Sequence, residues 1–482
     1  MNEQFFRSLN GYKVKDEYAI HTYDSVALMK ADTKLKEGMY VKTKGYTTPN
    51  DGGNGEYIIV NDNSLESDNG SIHELINGLF AKLVIENNVT PEQFGCYGDD
   101  EHDDTIAFQN MLNKFLYIKL NENKKYKITS TLTFRNNTKI VGTGQSSQII
   151  SYINNETPIF YNNDNVSHFI FQDFYINSKN NSCYGFTITN PYDNCIFKNI
   201  YFDNFKLSCL KIGTNDRISQ TLLIDNCMVY MSNEALNTPI FDLTKCYESN
   251  ILNNKLLNRQ NNSAPCLLLT NIYDNNIQGN SFTYSTDCAI KITGSNCRHN
   301  RIISNTYELI DSDYSIKLIG SKNDAIQHTM ILESYTYYSA PNKIYCQNES
   351  NGFFVGLEST GGRRNMIFNV NDKNVQSAYG NNIVTTDDGA FTSNQFGIMD
   401  YDNIKRYNIK SNASSSDDYG LDLFDRKTSK KITLNFRNNF VSSNSNGFRI
   451  KMISPDGNTT KYLGIDNNGD LTLFNSYYSD SQ

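Results

Sequence analysis

Short apolar segments closed by Asn or Asp recur through the middle of the chain: IFQDFYI, IFKNIYF, LIDNCMV, ILNNKLL, IQGNSFT, IISNTYE and MILESYT. Superimposing them sets Asp173, Asn199, Asn226, Asn254, Asn280, Asn305 and Glu333 at one position, at intervals of 26, 27, 28, 26, 25 and 28 residues. A second series keeps the same phase: SCYGFTI, SCLKIGT, EALNTPIF, PCLLLTN, DCAIKIT and DYSIKLI. Cys183 to Cys209, Cys209 to Ala235 and Asp287 to Asp313 are each 26 apart, whereas Ala235 to Cys266 is 31 and Cys266 to Cys288 is 22. Alternation within a segment is that of a strand, so in CAIKIT the side chains of Cys288 and Ile290 face one way and those of Ala289 and Lys291 the other. Segments this short, broken by Asn, Gly and Ser, cannot pair as helices. Each repeat therefore reads as one coil of a parallel β-helix, with turns free to vary in length. Like residues then stack about 4.8 Å apart. Stacked Asn amides hydrogen-bond along the axis, and the Asn series reads as architecture.

Ahead of the coils lies VTPEQFGCYGDDEHDDTIAFQNMLNKFL, Val89 to Leu116. Asp103 or Asp104 caps a helix there whose Phe108, Met111, Leu112 and Phe115 form one apolar stripe, suited to closing the open end of a coil stack. The DDT acids read as structural. This segment, with the following YKITSTLTFRNNTKIVGTGQSSQII, resembles the lead-in to the pectate-lyase-superfamily β-helix of bacteriophage tailspikes and tail fibres. GMYVKTKGYTTPNDGGNGEYIIV and NGLFAKLVIENN resemble the small β domain that precedes that helix. Gly52, Gly53 and Gly55 read as a hairpin turn, since no helix follows them to make a phosphate loop. Leu9 to Ile20, LNGYKVKDEYAI, is similar to the opening of tail and baseplate proteins in phages of Gram-positive bacteria. The resemblance covers roughly residues 1–150. It implies a virion tail appendage made in the bacterial host cytoplasm, a homotrimer, attachment to other tail proteins through the first residues, and a host surface glycan or teichoic acid as partner. The calcium-binding carboxylates and catalytic Arg of pectate lyases have no counterpart in these coils, so the resemblance transfers fold rather than chemistry.

After about Cys346 the rhythm fades. DYGLDLFDRKTSKKITLNFRNNF and GFRIKMISPDGNTTKYLGIDNNGDLTLF read as antiparallel hairpins of a separate β domain, for trimerisation or receptor binding. The fold expected is thus all-β: a right-handed single-stranded parallel β-helix between a small N-terminal β domain and a C-terminal antiparallel one. The divisions fall at 1–22 (attachment), 23–88, 89–345 (helix-capped coils) and 346–482.

Composition narrows the partners. A net charge of −8 without a dense Lys/Arg run disfavours nucleic acid. No apolar run is long enough to span a bilayer, and Met1 to Asn10 lacks the features of a signal peptide. The 10 Cys include no CxxC pair and the 6 His sit at no ligand spacing, so neither metal nor cofactor is expected and the thiols read as free and buried. Abundant Asn, Lys, Ile and Tyr suggest an AT-rich genome, consistent with a low-GC Gram-positive host.

The turn after the second series supplies Tyr192-Asp193, Asn215-Asp216, Tyr247-Glu248, Tyr273-Asp274, Cys297-Arg298 and Asn323-Asp324. Stacked, these form a carboxylate row beside Tyr faces suited to sugar rings. Glycan hydrolysis commonly uses two carboxyl groups about 5–9.5 Å apart, a range that neighbouring coils supply, and close carboxylates raise one another's pKa toward that of a general acid. Glu248 and Asp274 are the first candidate pair, Asp216 the next, with Tyr247, Tyr273 and Arg298 as substrate contacts; the plainer reading is that acids favour such turns and face water. Asp287 and Asp313 read as turn-closing, and Gly361 to Arg364 as a solvated loop. Three function classes stay open: polymer depolymerase of hydrolase or lyase type, non-enzymatic receptor binder, and structural tail part.

Overall fold

The computed structural model describes residues 20–332 except 86, 260–261, 313, 321–325 and 327–328, and beyond them the backbone of strands between 335 and 474. Glu333, Asp313, Asn323, Asp324, most of the Leu9 to Ile20 segment, and the side chains of Cys346 and of Gly361 to Arg364 lie outside the described residues.

Among the described residues nine coils follow one another, with first strands beginning at Tyr117, Lys139, Ile170, Cys195, Leu222, Asn250, Asn276, Arg301 and Thr329. Every strand in them pairs in parallel with its counterpart one coil on. In the first sheet Phe171, Phe197, Ile224, Ile251, Ile277, Ile302 and Ile331 line up. In the third, Phe186, Leu210, Phe241, Leu267, Ile290, Ile316 and Ile344 do. The described members of these columns, Phe171 to Ile331 and Phe186 to Ile316, are fully buried, so the core is a set of stacked apolar rows inside the coil. Burial at roughly 25 cal/mol per Å² makes those rows the main source of stability. All nine described cysteines are free and buried.

Register corrects the repeat alignment at two places. Between the first and second sheets the chain turns through a residue of positive φ: Asp173, Asn199, Asn226, Asn253, Gly279 and Ser304. Asn254, Asn280 and Asn305 are the next residue on, equivalent to Phe174, Ile200 and Cys227, so the single Asn series is two. The outer one faces water: the Asn199 amide donates to Asp173 Oδ1 at 2.7 Å and Asn226 to Asn199 at 2.8 Å. The inner one is buried, with Asn254 Nδ2 donating to Asn280 Oδ1 at 2.9 Å and Asn280 Nδ2 to Asn305 Oδ1 at 3.0 Å. In the third sheet the counterpart of Cys209 and Cys266 is Ile240 rather than Ala235, because residues 232–239 form the extra length of that coil. Ala289 is buried along with Cys288 and Ile290, since it lies at a corner ahead of the strand Ile290–Gly294.

The capping helix runs Thr105–Lys114 with Phe108, Met111 and Leu112 buried beneath it. Asp104 is the N-cap residue but its side chain makes no capping bond; Asp103, one residue earlier, accepts the Thr105 N–H on Oδ1 at 3.0 Å. Asp104 instead accepts N–H groups of Tyr97, Gly98 and Lys127, tying the helix start to the first coil. The N-terminal domain is a five-stranded sheet in the order β1 (His21–Tyr23), β2 (Tyr40–Thr43), β3 (Gly55–Val60), β5 (Phe80–Leu83), β4 (Ile72–Glu74). The loop between β2 and β3 is organised by Asp51, whose carboxylate accepts four backbone N–H groups. Those bonds outweigh its partial burial and hold its pKa below the usual carboxylate range. Gly53 in that loop meets the Glu92 backbone so closely that a Cβ would lie 2.4 Å from its carbonyl oxygen.

The remaining compact unit comprises residues 351–356 and 363–482. Strands Asn382–Thr386, Gln395–Met399, Arg406–Ser411, Gly420–Asp425, Lys430–Asn435 and Phe440–Ser443 pair antiparallel in succession. Arg449–Ile453, Thr460–Ile465 and Leu471–Phe474 form a second antiparallel set, as the hairpin pattern predicts.

Candidate functional site: a charged strip along one corner

The candidate residues lie on the corner that leads from the third sheet back to the first. Its residues of positive φ run from Asn137 and His168 through Asn194, Thr221, Glu248 and Asp274 to His299. Backbone bonds stack them, with the Thr221 N–H donating to Tyr247 O at 3.1 Å, Glu248 to Tyr273 O at 3.0 Å and Asp274 to Arg298 O at 3.1 Å. Behind the corner a second buried ladder supports the backbone. Ser249 N donates to Asn275 Oδ1 at 2.9 Å, and Asn275 Nδ2 donates to Asn300 Oδ1 at 3.1 Å. The left-handed corner turns Glu248, Asp274 and His299 outward, where all three are exposed.

Tyr247, Tyr273 and Arg298 form the adjoining column through parallel bridges. The Tyr247 and Tyr273 rings lie 5.7 Å apart at a 45° tilt, the His299 ring meets Tyr273 edge-on at 5.2 Å, and the Arg298 guanidinium stands 5.8 Å from the Tyr273 centroid. His299 Nδ1 is 3.5 Å from Asp274 Oδ1. Burial holds the Tyr247 phenol above its ordinary pKa, with Arg298 opposing.

The structure thus brings Glu248, Asp274, Tyr247, Tyr273 and Arg298 together and leaves Asp216 out. Asp216 sits on the exposed loop 213–218, while Gln220 and Thr221 occupy its expected places in the stack. That loop crosses coils: Asn215 accepts from Asn271 Nδ2 at 2.8 Å two coils ahead, and Arg217 donates to Asn165 two coils back. Asp193 is one residue early, Asn194 holding the corner, and Arg298 aligns with Tyr273 while His299 follows Asp274. His299 is the strip residue that sequence reasoning missed. Its signal was the interval of 25 from Asp274, the same as Asn280 to Asn305.

Two other polar clusters were also missed. Tyr175, Tyr201 and Tyr230 stack face to face on the second sheet at 5.1 and 5.5 Å, with Tyr175 Oη donating to Asp203 at 2.5 Å. Their faces are used on one another, so this row braces the coils. Lys127, Tyr152 and Lys179, spaced at coil intervals of 25 and 27, place two ammonium groups 4.6 and 4.4 Å from one ring, with Asp100 bonded to Lys179 at 3.3 Å. Asp287 bonds Lys291 at 3.2 Å and Lys317 at 2.5 Å, an ion-pair bridge between coils. Among the described residues no His/Cys/Asp/Glu group has metal-site geometry, and no helix is long and apolar enough to cross a membrane.

Strand register and stacked ladders define the chain as a parallel β-helix protein. No family model matches it, and no curated protein does. The solved structures it resembles include the enzymatically active domain of tailspike protein 2 from bacteriophage CBA120, at 14% identity over 98% of this chain and 80% of that one, TM-score 0.48. The capsular polysaccharide depolymerase gp49, a tailspike of Acinetobacter baumannii bacteriophage Fri1, is 11% identical over 94% and 96%, TM-score 0.45. Pantoea stewartii WceF, a glycan biofilm modifying enzyme of tailspike-like fold, is 11% identical over 95% and 78%, TM-score 0.47. Two of these three are tailspikes and the third is an enzyme of tailspike-like fold.

Proposed function

We propose that this chain is a tailspike-type appendage of a phage virion that recognises a host cell-surface polysaccharide or teichoic acid along the corner strip from Tyr247 to His299. The observation that carries this reading is the strip itself: six side chains in two columns, Tyr247, Tyr273 and Arg298 beside Glu248, Asp274 and His299, repeating at the coil rise of about 4.8 Å. That rise is close to the length of one sugar ring, so a polymer lying along the axis meets a similar contact at each unit. Tyr faces cover apolar sugar faces while Glu248, Asp274 and Arg298 hydrogen-bond its polar edges. In the same reading the appendage is a homotrimer, anchored to other tail proteins through Leu9 to Ile20, with a C-terminal β domain for trimerisation or receptor contact, and is made in the host cytoplasm.

Binding is favoured over cleavage because both carboxyl groups stand open to water. The reading in which the polymer is cut rests on one observation, that Glu248 and Asp274 come from adjacent coils, whose backbone rise of about 4.8 Å is near the carboxyl separation of about 5–5.5 Å used in retaining hydrolysis. Purified protein is incubated with capsule, exopolysaccharide and wall teichoic acid, following polymer size and retention by chromatography. Retention without shortening, lost in Tyr273→Ala, is the expected result. Shortening abolished by Asp274→Asn establishes the hydrolase, and retention by every strip variant equal to that of the parent refutes the assignment.

A further inference from the structure

Charge is ordered along the strip rather than cancelled within it. Glu248 and Asp274 stand on two successive coils, and the next step carries Arg298 and His299 at the corner with Arg301 just beyond, paired in register with Asn276. Among the described residues Glu248 makes no ion pair and neither does Arg301; Asp274 meets His299 at 3.5 Å and Arg298 donates to Asn296. Glu248 is therefore two coil rises, roughly 10 Å, from the step that carries Arg298 and Arg301, while Asp274 stands one rise from that step and pairs with His299 rather than with either guanidinium. A neutral glycan gains little from such an arrangement, and a uniformly anionic one is repelled by its acidic half.

Resting on the recognition reading above, we infer that the strip takes a zwitterionic polymer, whose repeat carries a free ammonium group and an anionic phosphate or carboxylate about 5–10 Å apart. The ammonium lies at Glu248 and Asp274, the anion at Arg298 and Arg301, and the intervening unit on Tyr273. Arg suits the anionic end because its planar fork binds phosphate or carboxylate oxygens in pairs.

The test uses full-length protein and poly(glycerol phosphate) teichoic acid bearing ester-linked alanine, compared with the same polymer stripped of alanine by mild alkali. A capsular polymer carrying both an amino sugar and a uronate, before and after N-acetylation, separates a carboxylate source from a phosphate one. The ammonium-bearing form of at least one polymer binds about tenfold more tightly than its ammonium-free form at low salt. That preference disappears in Glu248→Asn/Asp274→Asn, while Arg298→Gln/Arg301→Gln weakens both forms of the polymer. Equal or tighter binding of the ammonium-free forms overturns the inference. If the same variants and Tyr273→Ala alter retention of a neutral glucan instead, recognition by the strip stands and only the zwitterion is refuted. If no polymer responds to any strip variant, both fail.

Discussion

Asn280→Ala tests the mechanism that holds the corners in place. Asn280 Oδ1 accepts from the Asn254 backbone N–H and from Asn254 Nδ2, each at 2.9 Å, and its own Nδ2 donates to Ile251 O at 2.8 Å. Truncation leaves a buried N–H without its acceptor and a buried carbonyl without this donor. An orphaned buried polar group costs about 1–3 kcal/mol, so the pair should destabilise the coil stack by about 2–6 kcal/mol. Asn280 lacks the positive φ of Gly279, so no backbone strain enters the comparison. Asn226→Gly is the control. Asn226 is exposed and in the left-handed region at φ 53°, where Gly is at ease, and the bond it loses is open to water. Its loss should stay below about 1 kcal/mol. Urea unfolding followed by far-UV circular dichroism, at one fixed protein concentration, gives both midpoints. Equal shifts for the two variants would falsify the inner ladder as the stabilising element.

Three further outcomes follow from other parts of the chain. Burial, with the Lys30 charge adding to it, lowers the His73 pKa from 6.5 to about 4. The unfolded chain therefore takes up a proton that the folded one refuses, and stability is fully present above pH 6.5 and declines as pH falls toward 4 by about 3 kcal/mol. A His73→Phe protein that melts with the same pH dependence over that window removes His73 as the cause. Gly53→Ala should lower the melting temperature by an amount equivalent to about 1–3 kcal/mol, since its Cβ would stand 2.6 Å from Tyr46 Cβ as well as against Glu92; an unchanged melting curve means the loop is free to move. Glu248 sits at φ 52°, which a Glu adopts at a cost of about 1 kcal/mol and Asn tolerates better. Glu248→Asn should consequently leave stability unchanged or slightly raised while reducing polymer retention, and a destabilised variant contradicts the corner geometry.

The coil architecture was legible because two constraints act on every repeat. Rows such as Phe171, Phe197 and Ile224 must stay apolar, and a bend must recur at nearly fixed spacing, so the period survives without identical residues. The exact bend position was not legible. Asp173, Asn199 and Asn226 are the left-handed residues, whereas in the next coils Asn occupies both positions or only the inner one, as in Asn253-Asn254 and Gly279-Asn280. Both places favour Asn for different reasons, one for its backbone conformation and one for its amide, and a sequence cannot say which reason applies. The extra length at 232–239 and the crossing loop 213–218 hid the alignment of Ile240 and displaced Asp216, because turns carry no periodic signal. Tyr247, Glu248, Tyr273 and Asp274 were found together because their two coils are separated by an uninterrupted interval of 26 residues, whereas Arg298 was set one position out, level with Asp274 instead of Tyr273.

The corner explains why a rigid scaffold can carry variable chemistry. At each bend the inner residue, such as Asn275 or Asn300, is buried and committed to hydrogen bonds along the axis. The residue just before it, Asp274 or His299, is held in the left-handed conformation with its side chain in water. Backbone geometry is thereby fixed by one position and surface chemistry supplied by its neighbour. Substituting the outer residue costs no more than its conformational preference, about 1 kcal/mol, while the inner one resists change by the larger cost of an orphaned polar group. A surface that must follow a changing polymer gains from this division: Glu248, Asp274 and His299 are exposed and can each be exchanged at that cost, whereas Thr221, whose Oγ1 accepts the Asn194 N–H at 2.8 Å, is tied to the coil before it. The column of Tyr247, Tyr273 and Arg298 is constrained differently, since each lies in a parallel bridge and partly covers the corner. Charge on this face is therefore the property expected to vary first, and the aromatic column the property expected to persist.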